Sequence, residues 1–186
     1  MEDFREKLID TRSRNKTQNH YFYPHQAVHD LITPEVVYKI LENDKFEPYT
    51  IDSAAQYLIN VGGRRIFAIL ALIQRPHLFL NFIKDDQLQR GDPDHKLPFE
   101  KGQLKQLLPS PTSEEFWDKQ WEFTAPFFSE SVFARVLPDE FILPFLKEED
   151  LGEGALGIVY NVQIEQSYLP PGSSWHGEVR SVVPEC

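Results

Sequence analysis

Apolar positions early in the chain recur at the three- and four-residue spacing of helices, whereas a late segment alternates with the period of a strand. Thr33 precedes Pro34 and Glu35, a helix start: the hydroxyl can accept an orphan N–H, and proline at the first helical position forfeits no hydrogen bond. Val36, Val37, Ile40 and Leu41 then form a buried stripe, with Asn43 and Asp44 ending the helix. A second helix is expected over 52–61, burying Ala54, Ala55, Leu58 and Ile59 and stopping at Gly62-Gly63, where left-handed backbone costs little. The most apolar run, 66–73, is broken by Gln74-Arg75-Pro76-His77 and resumes over 78–83, which predicts a buried helical hairpin rather than a membrane span. Thr112-Ser113-Glu114-Glu115 has the form of a capping box ahead of Phe116, Trp117 and Trp121, an aromatic group expected in the core. Gln89-Arg90-Gly91-Asp92-Pro93-Asp94-His95 and Leu108-Pro109-Ser110-Pro111 read as exposed loops.

The alternating segment is 158–165. Ile158, Tyr160, Val162 and Ile164 lie on one face, and Val159, Asn161, Gln163 and Glu165 on the other. Directly before it stands Leu151-Gly152-Glu153-Gly154-Ala155-Leu156-Gly157, so that the whole reads G-x-G-x-x-G-x-V. Glycines at these positions let main-chain N–H groups approach a polyphosphate without obstruction by Cβ. The dinucleotide version of this spacing runs from a strand into a helix, and here the continuation is a strand. A hairpin is therefore predicted, with its tip over the phosphates and Val159 over the base.

Residues 151–160 resemble the glycine-rich loop of eukaryotic protein kinases. The stretch Phe116-Trp117-Asp118-Lys119-Gln120-Trp121-Glu122-Phe123 through Leu143-Pro144-Phe145-Leu146 resembles the region upstream of the kinase domain in a group of fungal kinase-like proteins. The resemblance implies ATP as ligand, contacted by Leu151, Gly152, Glu153, Gly154, Ala155, Leu156, Gly157 and Val159, and phosphoryl transfer of the Ser/Thr type in the parent family. Glu153 is then expected to face water. Magnesium accompanies ATP in a complete kinase, but the parts that hold it and transfer the phosphate are spread along such a chain. Here the last lysine is Lys147, before the loop, and Arg180 is the one Lys or Arg after it. No H-R-D or D-F-G triplet occurs. The chain is accordingly expected to be an N-terminal fragment of a kinase-like protein, ending after the first two kinase strands and inactive alone, with no catalytic residue and no magnesium ligand.

The expected fold class is α+β: a helical region over 1–125, the start of a kinase-like lobe over 126–166 and an irregular tail over 167–186. With 41% hydrophobic, 26% charged and 13% aromatic residues, a folded core is affordable. A net charge of −10 and a pI near 5.0 argue against nucleic acid and anionic membrane as partners, since both select clustered Lys and Arg. Cys186, the sole cysteine, permits neither an internal disulfide nor a cysteine zinc site. The charged opening Met1-Glu2-Asp3-Phe4-Arg5 lacks the apolar core of a signal peptide, which suggests an intracellular, cytoplasmic protein.

Weaker motifs read as structural. His25 and His29 could share a helical face as metal-binding pairs do, yet Tyr21-Phe22-Tyr23 and Pro24 beside them suggest packing, and no metal is expected. Gly62-Gly63-Arg64-Arg65 lacks the preceding strand and the Lys or Ser/Thr of a phosphate loop. Arg90-Gly91-Asp92 reads as a chance triplet, Glu148-Glu149-Asp150 as a solvated acidic run, and no G-x-S-x-G marks a nucleophile. A second functional reading is a non-enzymatic interaction or regulatory module, whose aromatic segment 116–133 docks a protein partner or a missing kinase lobe.

Overall fold

The most apolar run becomes the axis around which the helices assemble. In the computed structural model, helix α5 spans Arg64–Leu72, and residues 66–72 are all buried. The structure describes residues 2–42, 46–85, 88, 91–128, 137–154, 157–172 and 178–183, and for 153, 154, 157, 158 and 178–183 the backbone alone. A helix apolar all round has to be enclosed on every side, and burying each of Ile66, Phe67, Ile69 and Leu70 favours folding by about 1.5–3 kcal/mol. The enclosure comes from α1 (Glu2–Asp10), α2 (His25–Leu31), α6 (Phe79–Lys84) and α8 (Thr112–Gln120), with α3 (Pro34–Glu42) and α4 (Pro48–Asn60) paired outside them and α7 (Lys101–Leu107) against α8.

Helix α3 starts as the sequence predicts, with Val36 N donating to Thr33 Oγ1 at 3.4 Å and Val37, Ile40 and Leu41 buried. Its expected stop, Asn43-Asp44, lies outside the described residues. Helix α4 starts at Pro48, earlier than the pattern suggests, and its buried set is Ile51, Ala54, Ala55 and Leu58. That i, i+3, i+4, i+7 stripe excludes Ile59, which is 45% exposed rather than buried. Helix α8 begins at Thr112 itself, so the expected capping box does not form. Pro111 is the cap residue, without a side-chain cap bond, and Ser113 N donates to the Pro109 carbonyl at 3.1 Å. A glutamine instead caps α7, where Gln103 Oε1 accepts from Glu100 N at 3.0 Å. Phe116 is core as expected, in ring contact with Phe82 and Phe99.

Among the described residues two sheets complete the α+β architecture, and their pairings are antiparallel. Strands β1 (Ser13–Asn15) and β2 (His20–Phe22) form a short hairpin within the region read as helical. Strands β3 (Phe145–Gly154), β4 (Gly157–Ile164) and β5 (Glu178–Val183) form a sheet in that order. Val162 and Ile164 on β4 are buried on the predicted apolar face, in a second core with Phe22, Ala125, Ile142, Phe145, Tyr168 and Leu169. Phe22 belongs to the N-terminal region, so the sheet borrows its core from both ends of the chain. Buried Asn15 reinforces the link: its Nδ2 donates to the Leu143 carbonyl at 3.0 Å, while Gln18 bonds the main chain at Phe141 and Leu143.

The stretch read as an irregular tail over 167–186 is ordered where described. Tyr168 and Leu169 are buried, and β5 pairs along β4 from Ile158↔Val183 to Gln163↔Glu178. The proline- and glycine-rich residues near 170–172 are a connection, after which β-branched Val179, Val182 and Val183 restore strand propensity. Among the described residues no helix is long and apolar enough to cross a membrane.

Candidate functional site

The glycine motif sits at the closed end of the β3–β4 hairpin. Gly154 pairs with Gly157, leaving a two-residue connection. Those two residues, Ala155 and Leu156, lie outside the described residues, so their predicted contact with a nucleotide has no structural counterpart here. Register pairs continue as Glu153↔Ile158 and Gly152↔Val159, and a bulge follows between Asp150 and Gly152. The extra residue is Leu151, 52% exposed. Gly152 has φ +103°, a left-handed backbone that a side chain would strain, although a Cβ there would meet nothing within 4 Å. The constraint at this glycine is conformational rather than steric.

Val159 lies on the face of β4 opposite the core, together with Asn161 and exposed Gln163. The predicted residues Leu151, Gly152, Glu153, Gly154, Gly157 and Val159 are thus brought together on one hairpin end. One main-chain donor is already engaged: Gly152 N donates to Asp150 Oδ1 at 2.7 Å. A carboxylate therefore holds the position that a phosphate oxygen would need at this amide. A cavity of about 590 Å³ lies further along the strands, between Lys16 and Thr17 on one side and Lys147, Glu149 and Asn161 on the other. Among the described lining residues there is no glycine.

A second anion-binding arrangement escaped the sequence reading. Gly63 is the residue preceding α5 and has no side chain to cap it, and the free N–H groups of Arg65 and Ile66 donate instead to Asp94 Oδ2 (2.8 Å) and Oδ1 (3.0 Å). Asp92 Oδ1 takes Gly63 N and Asp94 N, both at 2.9 Å. Arg65 completes the cluster through Nη2 to the Asp94 carbonyl (2.8 Å) and Nη1 to the Phe123 carbonyl (3.3 Å), with Nε 3.8 Å from Asp94 Oδ2. The loop expected to be exposed is therefore docked in part, with Pro93 and Asp94 buried. Gly62-Gly63 does end α4, since Gly62 N donates to the Tyr57 carbonyl at 3.2 Å, but it also makes room for the loop. A Cβ on Gly62, at φ +128°, would stand 2.2 Å from Asp92 Cγ. Gly62→Ala is accordingly expected to lower stability by about 2–3 kcal/mol in urea unfolding. Gly102→Ala, whose Cβ meets nothing within 4 Å, should be neutral or stabilising.

The histidine pair lies on α2 as the spacing suggests, but its partners are structural. The His25 ring meets Phe127 at 5.3 Å, and burial followed by the Arg65 charge pushes its pKa down. His29 Nδ1 is 3.6 Å from Asp30 Oδ1. Among the described residues no group of three His, Cys, Asp or Glu gathers as a metal site. No protein-family model matches the chain, and neither a curated protein nor a solved structure matches it.

Proposed function

We propose that this chain carries a protein-kinase-like ATP-binding hairpin on a helical module and does not transfer phosphate by itself. The observation that supports the reading is the antiparallel β3–β4 hairpin, with Gly154 opposite Gly157 and Gly152 in left-handed backbone, at the positions of the G-x-G-x-x-G-x-V motif. Leu151, Gly152, Glu153, Gly154, Ala155, Leu156, Gly157 and Val159 would contact the nucleotide, the main-chain amides its phosphates and Val159 its base. Lys147 precedes the hairpin tip, and the strand after it, β5, offers Arg180, paired in register with Asn161. A guanidinium is a poor substitute for the compact ammonium that holds α- and β-phosphates. Magnesium would arrive with ATP rather than on protein ligands. A cytoplasmic setting, where ATP is abundant, suits this reading, and a protein partner would have to supply the catalytic groups.

Glu149 and Asp150 lie close to the hairpin end and oppose phosphate, so binding is expected in the millimolar range. Magnesium ATP should raise the melting temperature in proportion to occupancy, and Gly154→Val should abolish the rise. Asp150→Ala frees the Gly152 amide and removes a charge, and should tighten binding severalfold. Absence of any shift at millimolar ATP in both the native chain and Asp150→Ala would reject the ATP site.

A further inference from the structure

We propose that a pocket between β2, the end of α8 and the segment before β3 receives a lysine side chain from a basic peptide of a partner protein. The pocket encloses about 310 Å³. Its aromatic walls are Tyr21, Trp117 and Trp121, and its rim carries the carboxylates of Asp118, Asp139 and Glu140. Trp117 and Trp121 meet edge to face, with centroids 5.5 Å apart and planes at 83°, so their flat surfaces point in different directions around the space. Asp118, Asp139 and Glu140 are exposed, and among the described residues no cation pairs with them. The remaining acid of the lining, Glu122, is held by Lys119 at 2.7 Å through Oε1, while its Oε2 is buried with no hydrogen-bond partner.

Among the described residues no Lys or Arg lines the pocket. Two of its rings nevertheless already attract cations from outside the lining: Arg12 Cζ and Arg14 Cζ stand 4.3 and 5.8 Å from the Tyr21 centroid, and Lys101 Nζ stands 4.0 Å from the Trp117 centroid. Trp121 carries no such cation among the described residues, so a lysine approaching that ring meets no competitor there. A lysine fits both parts of the site, its four-carbon stem lying along the aromatic walls and its ammonium among the carboxylates. The net charge of −10 favours approach of a basic segment over an acidic one. An anionic or neutral ligand would leave three carboxylates unanswered. The pocket lies away from the glycine hairpin, so it stands or falls separately from ATP binding.

The test is fluorescence anisotropy of a labelled lysine–serine peptide titrated with the full chain at low salt. Saturable binding is expected, weakened about tenfold by Asp139→Asn/Glu140→Gln and about threefold by Tyr21→Leu, because one change removes charge and the other a ring face. Glu148→Gln/Glu149→Gln removes the same charge from the acidic run on β3 and should leave the affinity unchanged. These acids are on the surface or its edge, so melting temperatures should hold in both double variants. The inference is overturned if the peptide does not saturate, or if the β3 double variant loses as much affinity as the pocket double variant, which would mark general attraction to an acidic protein. It is also overturned if Tyr21→Leu binds as well as the native chain.

Discussion

Asp94→Ala is expected to lower the unfolding free energy by about 3–5 kcal/mol, read from urea denaturation. The side chain is almost wholly buried, and its removal strips acceptors from the N–H groups of Arg65 and Ile66 while leaving the mostly buried Arg65 guanidinium without its carboxylate. Asp94→Asn keeps the shape and one acceptor but turns an amide N–H₂ toward a backbone N–H, so a loss of about 1–3 kcal/mol is expected. Arg65→Met, which removes the other partner, should be more damaging in the native background than in Asp94→Ala, because the two side chains act on one network.

The same residue sets a pH dependence. Burial, opposed by the Arg65 charge and the two backbone hydrogen bonds, raises the Asp94 pKa from its ordinary 3.8 to about 6. A raised carboxyl pKa means that the folded state binds a proton before the unfolded state does. Its contribution is thus fully present below about pH 3.8 and is lost as pH rises through about 6. The urea midpoint should therefore climb as pH is lowered from 7 to 5, and the climb should shrink in Asp94→Asn. A midpoint that falls equally in both proteins over that interval would show that Arg65 and the amides outweigh desolvation.

Tyr168→Ala should cost about 3–5 kcal/mol and loosen the three-stranded sheet from the helices, since a buried aromatic ring leaves a large cavity. The ring packs edge-on to Phe22 at 6.0 Å and beside Phe127 at 5.2 Å, and its hydroxyl donates to the Tyr23 carbonyl at 2.6 Å. Tyr23 in turn stacks on Phe123 at 4.1 Å, which joins the sheet core to the helical core. Tyr168→Phe isolates the hydroxyl and should cost only about 1–2 kcal/mol. Hydrogen exchange provides the sharper check: Tyr168→Ala should speed exchange of β4 amides more than those of α5. Equal acceleration in both would mean that the two cores open as one unit.

Much of the helical body and the hairpin was legible because the signals were local. Thr33-Pro34 fixed one helix start, the period-two alternation from Ile158 fixed β4, and the run beginning at Ile66 marked the axis of the fold. What escaped the sequence was built from distant partners. Asp94 caps α5 from 28 and 29 residues away, so no spacing rule ties it to Gly62-Gly63. Thr112-Ser113-Glu114-Glu115 matched a capping box one residue out of phase, and the helix then started on the threonine itself. Strands β1 and β2, three residues each, are too short for a period to show. At the candidate site, the alternation that follows the glycines predicted the hairpin, but not that the Asp150 carboxylate would occupy the Gly152 amide. That bond depends on the bulge at Leu151, which no residue pattern announced.

Two of the ties between distant parts of the chain bear on the order of assembly. Asn15 reaches Leu143 across 128 positions and Tyr168 reaches Tyr23 across 145. Closing loops of that length is slow, and during synthesis the β1–β2 hairpin leaves the ribosome long before the strands that cover it exist. Phe22 and Asn15 must therefore wait, one apolar and one polar, until the sheet arrives to enclose both.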